Sequence, residues 1–215
     1  MSAIIIDLQP DRALIGTDTL IVSEYGTPIG FTSKAFLLPH INTVIAGTGI
    51  AGVSSSWFRY VNEVLRPTGI EGLHADTQVF LQMMFEGEFA PRWRWESMQS
   101  VTIYQIGRSE VDGTFKGFAY CSQEYFEPKP LKVGRITMKP DMGLVKDYPD
   151  TGEDYVNLIE AMKLQKANQD AMPQGEGLFI GGEICTIEMM PLGNIVRTIH
   201  RFDDYDQSLE ASKDS

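Results

Sequence analysis

"TVIAGTGIAGVSSSWFRYVNEVL" spans residues 43–65 and decides between two folds. An apolar segment enters Gly47-Thr48-Gly49-Ile50-Ala51-Gly52, a complete G-x-G-x-x-G. A helical pattern follows, with Val53, Trp57, Tyr60, Val61, Val64 and Leu65 near the 3.6-residue period and Pro67 beyond its end. A dinucleotide fingerprint needs a second strand after that helix and an acidic residue about 20 positions on. The chain instead reads "RPTGIEGLHADT", a loop into another helix. Glu63 sits in the first helix and Glu71 in the loop. The context therefore opposes dinucleotide binding. Two readings remain for the glycines: a tight turn in which side chains would clash, or backbone N–H groups at a helix N-terminus that hold an anion or a developing oxyanion.

Outward from this stretch, Ala3–Asp7 and Ala13–Ile21 read as strands around the turn Gln9-Pro10-Asp11-Arg12. Short apolar pieces at 29–32 and 35–38 flank Ser33-Lys34, and Asn42–Ala46 is a further strand. Asp76–Phe89 reads as a second helix built on Val79, Phe80, Met83 and Met84. Ser100–Ile106 and Phe115–Cys121 are strands, with Asp112-Gly113 as a turn signal between them. Tyr125–Phe126 and Lys132–Met138 are shorter strand candidates. Glu153–Ala171 is a third helix; Phe179–Met189 and Ile195–Ile199 return to strand around Gly193-Asn194. Strands, two helices, strands, one helix, strands is not the alternation of a parallel α/β sheet. It predicts two sheets with helices packed outside them. Residues 1–202 read as one domain, and residues 203–215 as an acidic tail that frays.

The 215 residues carry a formal charge of -11. That sign repels nucleic acid and anionic membranes, so neither is expected as a partner. No apolar run approaches the roughly 20 residues of a membrane helix, and "MSAIIIDLQPDR" lacks the basic start of a signal peptide. A cytoplasmic protein is the expectation. Cys121 and Cys185 have no metal-ligand spacing, and His40, His74 and His200 stand singly, so no metal and no cofactor are expected. Asp203, Asp204 and Asp206 read as a solvated tail, Met83-Met84 and Met189-Met190 as core filling, and Pro91–Trp95 as a connection packed on the core.

A glycine turn that could hold an oxyanion raises the question of a nucleophile. No G-x-S-x-G elbow occurs and no histidine stands in a relay, which leaves a lysine or a free α-amine to activate a hydroxyl. Removal of Met1, favoured by a small second residue, would start the chain at Ser2. Its amine, with a pKa near 8, lies within reach of its own hydroxyl. A lysine ammonium nearby would depress that pKa, and a carboxylate would orient the lysine. Asp18 in the second strand and Lys34 sixteen residues later supply both.

In the order and spacing of Ser2, Gly16-Thr17-Asp18 and Lys34, the chain resembles the proteasome β-subunits and their bacterial relatives among the N-terminal-nucleophile hydrolases. "AFLLPHINTVIAGTG", the two helices after it and "GLFIGGEICTIEMM" resemble that family's later segments, so the likeness covers about residues 2–200. The resemblance implies an α+β fold, a four-layer αββα sandwich of two antiparallel sheets flanked by helices. It further implies peptide-bond hydrolysis through an acyl-enzyme on Ser2, with Lys34 tuning proton transfer and Asp18 holding Lys34. An N–H of Gly47 or Thr48, in the cleft lined by Gly47, Thr48 and Gly49, would face the oxyanion. Peptide or unfolded-protein substrates and a homo-oligomeric ring or stack of rings follow from the same likeness. An ATPase partner is not legible.

The chain departs from that pattern in three ways. Ser2 stands for the family's Thr. Gly177 and Ile180 stand where many members have a supporting Asp and Ser. The Gly-Ser-Gly loop before the third helix has no copy beyond Gly134. A proteasome-like assembly or scaffold subunit without catalysis, and an amidase acting on a non-peptide amide, are therefore alternatives. Retention of Met1 would block the amine and favour the first.

Overall fold

The computed structural model describes residues 2–23, 25–89, 100–141, 143, 148–173 and 176–213. Met1 and Pro91–Trp95 lie outside them. The first strand, β1 (Ile4–Leu8), is buried at every position, as the apolar run Ile4-Ile5-Ile6 requires of a central strand, and Asp7 within it is paired with Arg12 at 3.1 Å. It pairs with β2 (Ala13–Asp18) on one side and with a strand from far along the chain, β10 (Arg135–Lys139), on the other. Beyond β2 come β11 (Glu183–Met190) and β12 (Gly193–Arg201), giving the order β10-β1-β2-β11-β12.

The second five-stranded sheet runs β5 (Ala35–Leu38), β6 (Thr43–Thr48), β7 (Thr102–Arg108), β8 (Phe115–Cys121) and β9 (Pro128–Pro130). Between the two sheets in sequence, β3 (Leu20–Val22) and β4 (Pro28–Phe31) pair, among the described residues, only with each other. The strand expected over Ala13–Ile21 is thus two strands in different sheets, split at Thr19. Tyr125 and Phe126, expected in a strand, sit in a turn at positive φ. Among the described residues every strand pairing is antiparallel, so the glycine motif has no βαβ unit around it.

Three apolar clusters hold these pieces together. Ile4, Ile6, Ile15 and Ile187 of the first sheet meet Val44, Tyr104, Ile106 and Phe115 of the second. Trp57 and Val61 join Ile45, Ile103 and Tyr120 on the other face of the second sheet. They come from α1 (Val53–Tyr60) and the π-helical turn at Val61–Leu65 that continues it. Leu158, Ala161 and Met162 of α3 (Asp154–Asp170) cover Ile5, Leu14 and Ile184. Two sheets face to face with helices outside them are compatible with a layered sandwich.

Helix α2 (Ile70–Met84) begins six residues before the expected Asp76. Its inward face is Ile70, Leu73, Thr77 and Leu81, leaving Val79 and Met83 exposed rather than buried. The early start has a tertiary cause. The Glu110 carboxylate, from the turn after β7, accepts the N–H groups of Glu71 and Gly72 and satisfies donors that a helix start leaves open. The tail expected to fray forms α4 (Tyr205–Lys213), which packs on β4. Among the described residues no helix is long and apolar enough to cross a membrane.

Candidate active site

Asp18 ends β2 and is completely buried. A carboxylate there must be matched by donors, and three converge on it. The Ala3 N–H donates to Oδ1 at 2.9 Å, Lys34 Nζ donates to the same oxygen at 2.8 Å, and the Gly181 N–H reaches Oδ2 at 3.3 Å. Lys34 stands one residue before β5, is 7% exposed, and donates a second bond to the Leu20 carbonyl at 2.7 Å. The side chain is therefore fixed from two directions, one acceptor on the first sheet and one on the β3–β4 hairpin.

Ser2, 9% exposed, precedes β1, so Asp18 holds the residue next to it through the Ala3 amide. Ser2, Lys34, Gly47, Thr48 and Gly49 all line one cleft of about 450 Å³. Residues of β3, the start of α1 and Gly177–Phe179 complete its walls. Among its described lining residues Lys34 is the sole charged side chain; serine and threonine hydroxyls supply most of the rest of the polarity. The structure thus brings Ser2, Lys34 and the glycine loop together around one space, with Asp18 directly beneath Lys34.

The glycines have clear structural reasons. A Cβ on Gly47 would lie 2.6 Å from the Ser54 Cβ, so α1 packs on β6 only across a bare backbone. Gly49, at φ +103, would place a Cβ 1.9 Å from the Ser100 carbonyl oxygen. Gly52 precedes α1 in the left-handed region, and among the described residues no side chain caps that helix. One expected role changes. The Gly47 N–H donates to the Lys34 carbonyl at 3.1 Å, because β5 pairs with β6 up to that point. Gly47 is therefore committed to the sheet, and Thr48, the last residue of β6, pairs with Thr102 of β7, so Gly49 is the first residue beyond the ladder.

The departures from the family pattern also have positions. A Cβ on Gly177 would meet the Gln169 carbonyl at 2.5 Å, so the backbone here leaves no room for an aspartate. Ile180 is buried in the cluster under α3, where a serine hydroxyl would lack a partner.

The Gly181 amide was not anticipated from sequence, since a backbone donor leaves no side-chain signature. Lys139 was not anticipated either, and it lies outside the cleft lining. Its Nζ donates to Thr102 Oγ1 at 2.6 Å, and Thr102 pairs with Thr48 across β6 and β7. Burial lowers its pKa from the ordinary lysine value, and among the described residues it makes no ion pair. No group of His, Cys, Asp and Glu side chains among the described residues has the geometry to hold a metal.

Comparison of the chain with protein-family models finds no match, and comparison with curated proteins finds none.

Proposed function

We propose that the chain is an N-terminal-nucleophile hydrolase of the proteasome β-subunit type, cleaving peptide amides through Ser2. The fold would then be that family's four-layer αββα sandwich, assembled into homo-oligomeric rings. The observation that carries this reading is the buried Lys34 Nζ–Asp18 Oδ1 contact of 2.8 Å at the wall of the cleft that Ser2 lines. Once Met1 is removed, the Ser2 amine accepts the proton of its own hydroxyl as Oγ attacks the substrate carbonyl carbon. The Lys34 ammonium favours the neutral amine and the developing alkoxide. The Gly49 amide, the first beyond β6, faces the tetrahedral oxyanion. Its collapse breaks the C–N bond; the leaving nitrogen takes the proton from the ammonium, and the acyl group stays on Oγ as an ester. Water then attacks that ester, giving its proton to the same amine, and releases the acid.

Intact mass of untagged protein, before and after treatment with a peptide vinyl sulfone or β-lactone, tests this. Loss of the Met1 mass and one adduct mapped to Ser2 are expected, with Ser2→Ala and Lys34→Ala each losing the adduct while keeping the assembly. Retained Met1, or a free Ser2 that takes no adduct, would overturn it. The reading then left is a non-catalytic assembly subunit, favoured by Gly177 and Ile180 in place of the family's supporting Asp and Ser.

A further inference from the structure

The Leu20 carbonyl that holds Lys34 belongs to a strand with weak support of its own. β3 and β4 form a two-stranded sheet, and an isolated hairpin is marginal in water. Three backbone bonds tie its base: Thr19 and Leu20 N–H to the Gly181 carbonyl, and Thr32 N–H to the Thr19 carbonyl. Its outer strand is covered by α4. The Tyr205 ring stacks on Phe31 with centroids 4.8 Å apart and planes 17° apart. Phe31 is the register partner of Leu20. On its other side Tyr205 is held by the Arg201 guanidinium, 4.1 Å from the ring centroid, and Arg201 is fixed in turn by Glu183 at 2.8 Å. Lys166 reaches Asp204, just before the helix, at 2.8 Å. An unbroken series of contacts therefore runs from the C-terminal helix through Tyr205, Phe31 and Leu20 to the ammonium of Lys34.

We propose that α4 is a strap on the cleft wall and that Tyr205 is a positioning residue, acting through Phe31 and Leu20 on Lys34. The strap itself needs only the geometry above; its consequence for turnover rests on the hydrolase reading. Loss of the ring frees the hairpin to move away from β5, and Lys34 then loses its second acceptor while keeping Asp18. Acylation of Ser2 slows because the ammonium wanders, whereas ligand binding in the cleft is little changed.

Two measurements on the full chain test this, each with Tyr205→Ala and Tyr205→Phe. The first is hydrogen exchange. Tyr205→Ala speeds exchange of the Leu20 and Thr32 amides about two- to tenfold, the worth of one aromatic pair. Tyr205→Phe leaves it as in the parent, and the Ala3 amide on Asp18 is unchanged in both. Equal acceleration at Ala3, or none at Leu20 and Thr32, overturns the strap. The second is the rate of Ser2 modification by the vinyl sulfone. Tyr205→Ala lowers the maximal rate by a similar factor without changing the half-saturating concentration, and Tyr205→Phe restores it. An altered half-saturating concentration with an unchanged maximal rate overturns the positioning role. If unmodified protein takes no label at all, the hydrolase reading fails, and the exchange result still decides the strap.

Discussion

Replacing Asp18 with Asn probes the pair that anchors the cleft. The change conserves volume, so no cavity forms, but it leaves the Lys34 ammonium, 7% exposed, without a counter-charge. Removing one partner of a buried ion pair costs about 3–5 kcal/mol, because the other charge stays desolvated. Asp18→Asn also turns one of two accepting oxygens into an NH2 group, so either the Ala3 and Lys34 donors or the Gly181 donor face a mismatch. Lys34→Met is expected to cost about as much, since the carboxylate keeps only its two backbone donors. The double variant Asp18→Asn/Lys34→Met removes both charges. It should cost less than the two singles together, by about 2–3 kcal/mol, the coupling of residues in direct contact. Urea unfolding followed by circular dichroism, with slopes compared to check that the transition is the same, measures all three. Single costs under about 1 kcal/mol, or additivity within about 0.5 kcal/mol, would refute a buried, tightly coupled pair.

Two further outcomes follow from other parts of the molecule. His74 Nδ1 lies 2.8 Å from the Tyr120 hydroxyl and its ring stacks on Phe118 at 3.9 Å; burial lowers its pKa, while the Glu71 charge pulls the other way. A depressed folded pKa means that the unfolded chain binds the proton first. The stability His74 contributes is therefore present above about pH 6.5 and lost as pH falls toward the folded value. His74→Phe should flatten that part of the urea midpoint against pH; an unchanged slope would count against it. Gly49→Ala should cost more than about 4 kcal/mol, since strain at φ +103 adds to a clash with the Ser100 carbonyl. Gly134→Ala, at φ +75 in open space, should cost about 1–2 kcal/mol, and equal thermal shifts for the two would refute the clash.

Much of the candidate site was readable because its side chains stand at fixed separations in the sequence. Ser2, Asp18 and Lys34 stand at the ends of short strands, where spacing along the chain translates into spacing across a sheet. The strand Phe115–Cys121 was legible for a similar reason, being bounded by turn residues and built of β-formers. What escaped was set by distant partners. Glu110 starts α2 early from 38 residues away. Thr19 divides an apparently continuous strand because Leu20 finds Phe31 rather than a core partner. The acidic tail is helical because Tyr205 meets Phe31 and Asp204 meets Lys166, neither visible in a polar, low-hydropathy segment. The pairing of Gly47 and Thr48, either of which the motif offers as an amide donor, was not legible because a motif shows which backbone groups exist, not which of them a neighbouring strand already uses.

The first sheet joins early and late segments of the sequence: β1 lies between β2 and β10, and β2 pairs with β11. The bond from Gly181 to Asp18 spans 163 residues. At a synthesis rate of about 5–20 residues per second, the Gly181 amide is made roughly 8–33 s after Asp18. Contacts of such separation also form late in folding, after the entropy of closing the intervening loop has been met. Throughout that interval a growing chain carries Ser2, Asp18 and Lys34 without a finished sheet beneath them. The cleft is thus timed as well as shaped: the donor to Asp18 and the wall at Gly177–Phe179 are added only once the chain has grown past residue 181.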